Sequence, residues 1–152
     1  MPIEPVWVEH DKGCILLKVQ PTRETSAQIC DKMAEDKINI EYLALSTMPK
    51  MKEAHVALIV HAKHLTKAVN KLLSVKKEIR IRELYHGVLS CISLDLSRVR
   101  HIPGIGSRLF KVFVRRGINV YITITTVVGI KFYIEPERVT ENLLGELARM
   151  VS

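Results

Sequence analysis

Ile102-Pro103-Gly104-Ile105-Gly106-Ser107 is the segment of this chain whose residue types and spacing bear most directly on chemistry. Pro103-Gly104 lets the backbone turn sharply, so that the amides of Ile105, Gly106 and Ser107 point outward at the start of a helix. Such a terminus attracts an anion through its unsatisfied N–H groups and the helix dipole. The α-carboxylate of an amino acid suits it, and Gly104 and Gly106 have no side chains to block close approach. Asn119 opens the strand that follows, and its amide offers one acceptor and two donors to a ligand's amino group or side chain. The same residues have a plainer use: Pro-Gly ahead of a helix is an ordinary turn, and Asn commonly caps or turns the backbone.

Other chemistries find no constellation. Ser107 has no His-Asp pair evident in the sequence to make it a nucleophile. Gly104-x-Gly106 is followed by Leu109 where a dinucleotide fingerprint needs Gly, and nothing matches a P-loop. His61-x-x-His64 has helical ligand spacing but straddles a strand end, without cysteines or carboxylates nearby to complete a metal set. His101 flanks the 102–107 loop and reads as a solvent-exposed neighbour, and Thr123, Thr125 and Thr126 read as ordinary strand residues. No acid, base and nucleophile converge, so the chain is expected to be no enzyme and to need neither metal nor cofactor. Cys14, Cys30 and Cys91 are odd in number and sit among apolar neighbours, which reads as buried, reduced thiols.

The net charge of +7 comes from 23 Lys and Arg against 16 Asp and Glu. Much of it lies in short clusters: Lys76-Lys77, Arg80 with Arg82, Arg98 with Arg100, and Arg115-Arg116. A basic chain raises nucleic acid as a partner. These clusters are interleaved with acids such as Glu78, Glu83 and Asp95, and aromatic residues make up only 5% of the chain, scattered rather than grouped for base stacking. The start, MPIEPVWVEHDKG, has neither a basic lead nor an apolar run of signal length, and no stretch approaches the ~20 apolar residues of a membrane span. A soluble, cytoplasmic protein is expected, and Met1 with the end at Ser152 reads as a whole gene product.

The elements that must position these residues occur twice. Residues 27–45 read AQICDKMAEDKINIEYLAL and residues 107–125 read SRLFKVFVRRGINVYITIT. Aligned, Ile29 meets Leu109, Met33 meets Phe113, and Ile38-Asn39-Ile40 meets Ile118-Asn119-Val120. The repeated unit is a helix, a tight exit and a strand that opens with Asn. Around the first copy the pattern predicts a strand over Cys14–Val19 after a turn at Asp11-Lys12-Gly13. A helix beginning near Ser26 carries Ile29, Met33 and Ala34 on its apolar face. Strands at Asn39–Ser46 and Ala54–His61 follow, then a helix bearing Leu65, Val69, Leu72 and Leu73, and a strand in the alternating run Ile79–Leu84. Around the second copy it predicts a strand at Val88–Leu94, a helix at Ser107–Arg116, a hairpin from Val120–Thr126 and Ile130–Ile134, and a last helix with Val139, Leu143, Leu147 and Met150.

The second half ends one strand short of the first. A four-stranded sheet with helices on one face cannot leave an apolar edge unpaired without consequence. Val6-Trp7-Val8 has no partner in the first half and is expected to supply the missing strand. The predicted organisation is α+β: a first module over 13–84 and a second over 87–152, completed by an N-terminal strand at 5–10. Modules of roughly 70 residues bury only about 60% of their unfolded surface and are marginal alone, so a shared interface is expected.

Ile102-Pro103-Gly104-Ile105-Gly106-Ser107-Arg108-Leu109-Phe110 with Gly117-Ile118-Asn119-Val120 closely resembles an ACT domain. The order of elements over residues 5–152 resembles the tandem-ACT regulatory half of aspartokinases, without the kinase domain. The resemblance implies two interleaved ferredoxin-like βαββαβ modules with antiparallel sheets. It also implies a ligand cleft formed by Ile102, Pro103, Gly104, Ile105, Gly106 and Ser107 with Asn119, Val120 and Tyr121. The first module departs from the pattern: Arg23-Glu24 stands where Pro-Gly would fall. Thr22, Arg23, Glu24 and Thr25 with Asn39, Ile40 and Glu41 are a second candidate site, either for a different or cationic ligand or decayed to a structural role.

The expected function is that of a non-catalytic regulatory protein. It would sense a small amino acid between ACT modules, form a homodimer through the ACT sheets, and act on a separately encoded amino-acid biosynthetic enzyme. Two other readings stand beside it: a purely structural dimerisation or partner-binding protein without ligand, and a nucleic-acid-binding ferredoxin-like protein.

Overall fold

A computed structural model of the protein describes residues 5–152; residues 1–4, Met1 among them, lie outside the described residues. The elements run β1 (Val6–Val19), α1 (Thr25–Glu35), β2 (Tyr42–Ser46), β3 (Ala54–His61), α2 (Leu65–Ser74), α3 (Lys76–Ile79), β4 (Ile81–Asp95), α4 (Ile105–Arg115), β5 (Ile122–Thr125), β6 (Gly129–Ile134) and α5 (Glu141–Val151). The fold is the expected α+β one. Its six strands hydrogen-bond in the order β2-β3-β1-β4-β6-β5, with antiparallel pairings. The described residues divide into two compact units, 11–88 and 89–152, the second taking with it residues 5–10.

In the unit 11–88, β3 pairs with β1 from Lys12↔His61 to Val19↔Ala54, and with β2 from Tyr42↔Ile59 to Ser46↔His55. Alternation puts Ile15, Leu17 and Val19 of β1 and Val56, Leu58 and Val60 of β3 on one face. Against them pack Ile29 and Met33 of α1 and Leu65, Ala68, Val69 and Leu72 of α2. In the other unit, β6 pairs with β4 from Ser90↔Ile134 to Asp95↔Gly129, and with β5 from Ile122↔Tyr133 to Thr125↔Ile130. The first half of β1 lies beside the end of β4: the Asp95 amide donates to the Pro5 carbonyl at 2.8 Å, and His10 Nδ1 stands 2.8 Å from Ser90 Oγ. Val6 and Val8 pack on the core of that unit, which is built from Ile92, Leu94, Leu109, Val112, Phe113, Phe132, Leu143 and Leu147. Phe132 is its centre, 4.7 Å from Phe113 and edge-on to Phe110 at 5.2 Å between ring centroids.

The repeat is visible as backbone geometry. Lys37 and Gly117 both take left-handed φ, 58° and 65°. Each ends its helix in the same way, Ile38 N–H donating to Met33 O and Ile118 N–H to Phe113 O. This six-to-one bond is a Schellman closure, which needs the left-handed residue at that place.

Several expectations are corrected. Asp11-Lys12-Gly13 does not reverse the chain; β1 runs through it, with Asp11 at φ 59°. Gly13 is there for close approach, since a Cβ would stand 3.1 Å from Leu65 Cβ and 3.2 Å from the Val60 carbonyl oxygen. Ile79 closes the short helix α3 with its side chain buried, and the two strands expected at Ile79–Leu84 and Val88–Leu94 are one strand, β4. β2 and β5 start later than Asn39 and Val120, at Tyr42 and Ile122, after an irregular stretch that follows the helix exits at Ile38 and Ile118. α4 starts at Ile105, two residues before Ser107, and Val139 precedes α5, which Thr140 caps by accepting from the Leu143 amide. On α1 Ala34 is exposed and Thr25 buried; on α2 Leu73 is half-exposed and Ala68 buried. Cys30 is exposed, whereas Cys14 and Cys91 are buried, and burial pushes the Cys91 thiol up.

Candidate functional site

The 102–107 segment is a succession of tight turns that ends in α4. Ile102 N–H donates to Val99 O at 2.9 Å, and Ile105 N–H reaches back to Ile102 O at 3.4 Å. Gly104 is the N-cap of α4, at φ 84° and ψ 4°, a left-handed conformation that a Cβ would strain. No side chain caps the helix, and its first turn carries no acid. Of the three amides expected to face a ligand, that of Ile105 is spent on the turn. Those of Gly106 and Ser107 belong to the first helical turn, which has no acceptor within the helix. The space before them is open, since a Cβ on Gly104 or on Gly106 would meet nothing within 4 Å. Ile102, Pro103, Gly104 and Ser107 are exposed, while Ile105 and Gly106 are half-buried.

Asn119, Val120 and Tyr121 form the irregular stretch from the exit of α4 to β5. Val120 and Ile118 pack on the same core as Ile105, so the loop and the strand start share a support. Tyr121 N–H donates to Tyr133 O at 2.9 Å, which fixes the stretch to β6. The Tyr121 hydroxyl donates to Glu135 Oε1 at 2.6 Å. That bond raises the phenol above its ordinary value, with the Asn119 side chain acting in the opposite sense. It also holds the Glu135 carboxyl below the usual range, aided by Glu137. Glu135 is thus an ionised carboxylate beside the predicted cleft. Sequence reasoning missed it because it precedes a turn with no motif of its own; only the hairpin brings it to Tyr121. A separate groove of about 410 Å³ in this unit, with Trp7, Ser97 and Val128 in its wall, includes none of the nine predicted residues.

The second candidate site is closed by its own hydrogen bonds. Thr25, buried, accepts from the Thr22 amide at 2.9 Å, and the Glu24 amide donates to Thr22 Oγ1 at 3.2 Å. Thr22, Arg23 and Glu24 border a groove with Gln28, Glu78 and Arg80. Asn39, Ile40 and Glu41 do not line it; Glu41 donates its amide to Ile59 O and its carboxylate pairs with Lys12 at 3.0 Å. His61, one half of the His-x-x-His pair, accepts the Lys63 amide at Nδ1 and so caps the turn into α2. No helix among the described residues is long and apolar enough to cross a membrane.

No protein-family model matches the sequence, and no curated protein matches it. Solved structures do. The ligand-free regulatory subunit of aspartate kinase from Thermus thermophilus superposes with a TM-score of 0.78 at 19% identity, over 97% of each chain. A structure of aspartokinase alpha and beta subunits matches at 0.75 and 14% identity, over 95% of this chain and 93% of that one. E. coli aspartokinase III in complex with lysine and aspartate matches at 0.63 and 17% identity, over 96% of this chain and 32% of that one. The fold is therefore that of aspartokinase regulatory regions, without a kinase domain over the residues compared.

Proposed function

We propose that this protein is a non-catalytic regulatory module that binds a small amino acid and passes the binding event to an amino-acid biosynthetic enzyme encoded separately. The observation that carries the reading is the open, uncapped start of α4 at Gly104-Ile105-Gly106-Ser107, with Asn119 and the ionised Glu135 on the same unit. The free first-turn amides suit an α-carboxylate. Asn119 and Glu135 suit an amine, the second charge that every amino acid carries. The likeness to regulatory subunits of aspartate kinase, and to a structure of aspartokinase alpha and beta subunits, supports a partner enzyme in trans. Pairing of two copies through the ACT sheets and a cytoplasmic setting belong to the same reading. The mechanism is a population shift: the effector favours one arrangement of the pair, with a coupling of typically about 1–3 kcal/mol.

A second reading has one observation of its own. The turn at Thr22–Thr25 is closed by internal hydrogen bonds, as in a loop that only connects. A purely structural dimerisation protein would show this at both modules.

Thermal unfolding against each of the twenty amino acids at several millimolar separates the two. A ligand at about 100 times its Kd adds roughly 2.7 kcal/mol, which raises the midpoint of a chain this size by about 5–10 °C. A selective shift, lost in Gly106→Glu, supports the sensor. A flat response across the panel leaves the structural reading.

A further inference from the structure

We propose that the unit 11–88 carries a second, unrelated binding site, for a phosphate chain, where the end of β1, the helix α3 and the start of β4 meet. Gln20, Lys76, Lys77, Arg80, Ile81 and Arg82 line a groove of about 460 Å³ there. Four of these six side chains are cations and none is an acid. The volume is that of a small-molecule site.

The charges are uncompensated. Among the described residues none of the four cations is in an ion pair. The acids nearest in sequence, Glu78 and Glu83, and Glu53, which shares a groove with Arg82, are engaged elsewhere: Glu78 with Lys32 at 3.4 Å, Glu53 with Lys18 at 3.2 Å, and Glu83 also acting on Lys18. Arg80 borders a neighbouring groove to which Arg23, Glu24 and Glu78 belong, and Arg82 borders another with Lys52 and Glu53. Four like charges held together repel one another, and an anion with several charges relieves that repulsion.

The groove is also organised. The Gln20 amide donates to the Arg80 carbonyl at 3.0 Å, and Arg82 Nη2 donates to Gln20 Oε1 at 3.0 Å. Arg80 closes α3 in the left-handed conformation, φ 62°. Two positions apart at the opening of β4, Arg80 and Arg82 border the same groove. Guanidinium forks match phosphate oxygens two at a time, and lysines supply point charges. One amino-acid carboxylate would leave three of the four cations unpaired; a chain of phosphates balances them. No aromatic side chain lines the groove to stack a base, so a nucleic-acid strand fits it less well.

The test is calorimetric titration of the full chain with inorganic tripolyphosphate. Saturable binding at one site per chain is expected, weakening as salt rises and falling at least about tenfold in Lys77→Gln and in Arg82→Gln. Arg80→Gly guards against misfolding, since it eases the left-handed backbone and should bind less while melting no lower. Gly106→Glu should bind tripolyphosphate as the parent does, which separates this site from the amino-acid site. Absence of binding at millimolar tripolyphosphate, or affinity unchanged in the Lys77 and Arg82 variants, overturns the proposal. Equal binding of poly-L-glutamate of matched charge also overturns it, by showing a surface that reads charge alone.

Discussion

Replacing Gly106 by Glu places opposite demands on stability and on binding, and the structure gives the size of each. Position 106 is the second residue of α4, its φ lies outside the left-handed region, and a Cβ there meets nothing within 4 Å. The substitution therefore trades a poor helix former for a good one, a gain of about 0.5–1 kcal/mol. It also puts a carboxylate into a first turn that has none, worth about 0.3–1 kcal/mol through the helix dipole. Together, about 1–2 kcal/mol should raise the midpoint of the ligand-free protein by about 2–6 °C. The same carboxylate occupies the amides that a ligand's carboxylate needs and repels it. The variant should be more stable than the parent without effector and blind to it. Paired melting curves with and without the effector found in the amino-acid panel read both arms. A variant that melts higher yet keeps the parent's ligand-induced shift would show that the ligand binds elsewhere. One that melts lower would show that the start of α4 is not the open terminus described. Gly104→Ala is the contrasting control: its left-handed φ costs about 1–2 kcal/mol with an alanine, so it should lower the midpoint although the space is equally free.

Gly129→Ala should be severely unfavourable, because its Cβ would collide with the Leu94 carbonyl oxygen across the β4–β6 ladder. An overpacking cost of about 1–3 kcal/mol is expected, read from urea midpoints, whereas Gly145→Ala on α5 meets only the mobile end of Arg149 at 3.4 Å and should not destabilise. Phe132→Ala empties the centre of its core between Phe110 and Phe113 and should cost about 3–5 kcal/mol in the same assay. Glu146 accepts from Arg116 at 2.9 and 3.0 Å and from Arg115 at 2.8 Å, and the Arg116 bonds hold its carboxyl below the ordinary value of 4.5. A carboxyl lowered in the folded state contributes stability above its unfolded value and loses it as pH falls through the folded one. Glu146→Gln should therefore melt below the parent at pH 7, and the two midpoints should converge as pH drops below 4.5.

The pattern of elements was written locally and could be read without coordinates. Helix and strand periodicities, the Pro103-Gly104 break before α4 and the repeated Ile-Asn exits all arise from neighbours within a few positions. The Schellman geometry at Lys37 and Gly117 is the physical content of that repeat. Strand continuity was not legible in this way. Asp11-Lys12-Gly13 has the composition of a turn, yet pairing of Lys12 and Gly13 with His61 and Val60 carries the strand through it, and Gly13 is required by Leu65, fifty-two positions away.

The sequence by itself determined the α+β order of elements and a glycine-lined helix start suited to an anion, because torsional preference, amphipathic period and the placing of glycine are local properties. Only the tertiary structure decided which charges are free and which are spent. Glu135 becomes a held carboxylate because β6 carries it to Tyr121, and Glu41 is withdrawn because folding sets it against Lys12. Lys76-Lys77 and Arg80 with Arg82 read as two more interleaved surface clusters until Glu78 is seen paired with Lys32. The reason is that Coulomb energy depends on separation in space and on solvent between the charges, and spacing along the chain fixes neither.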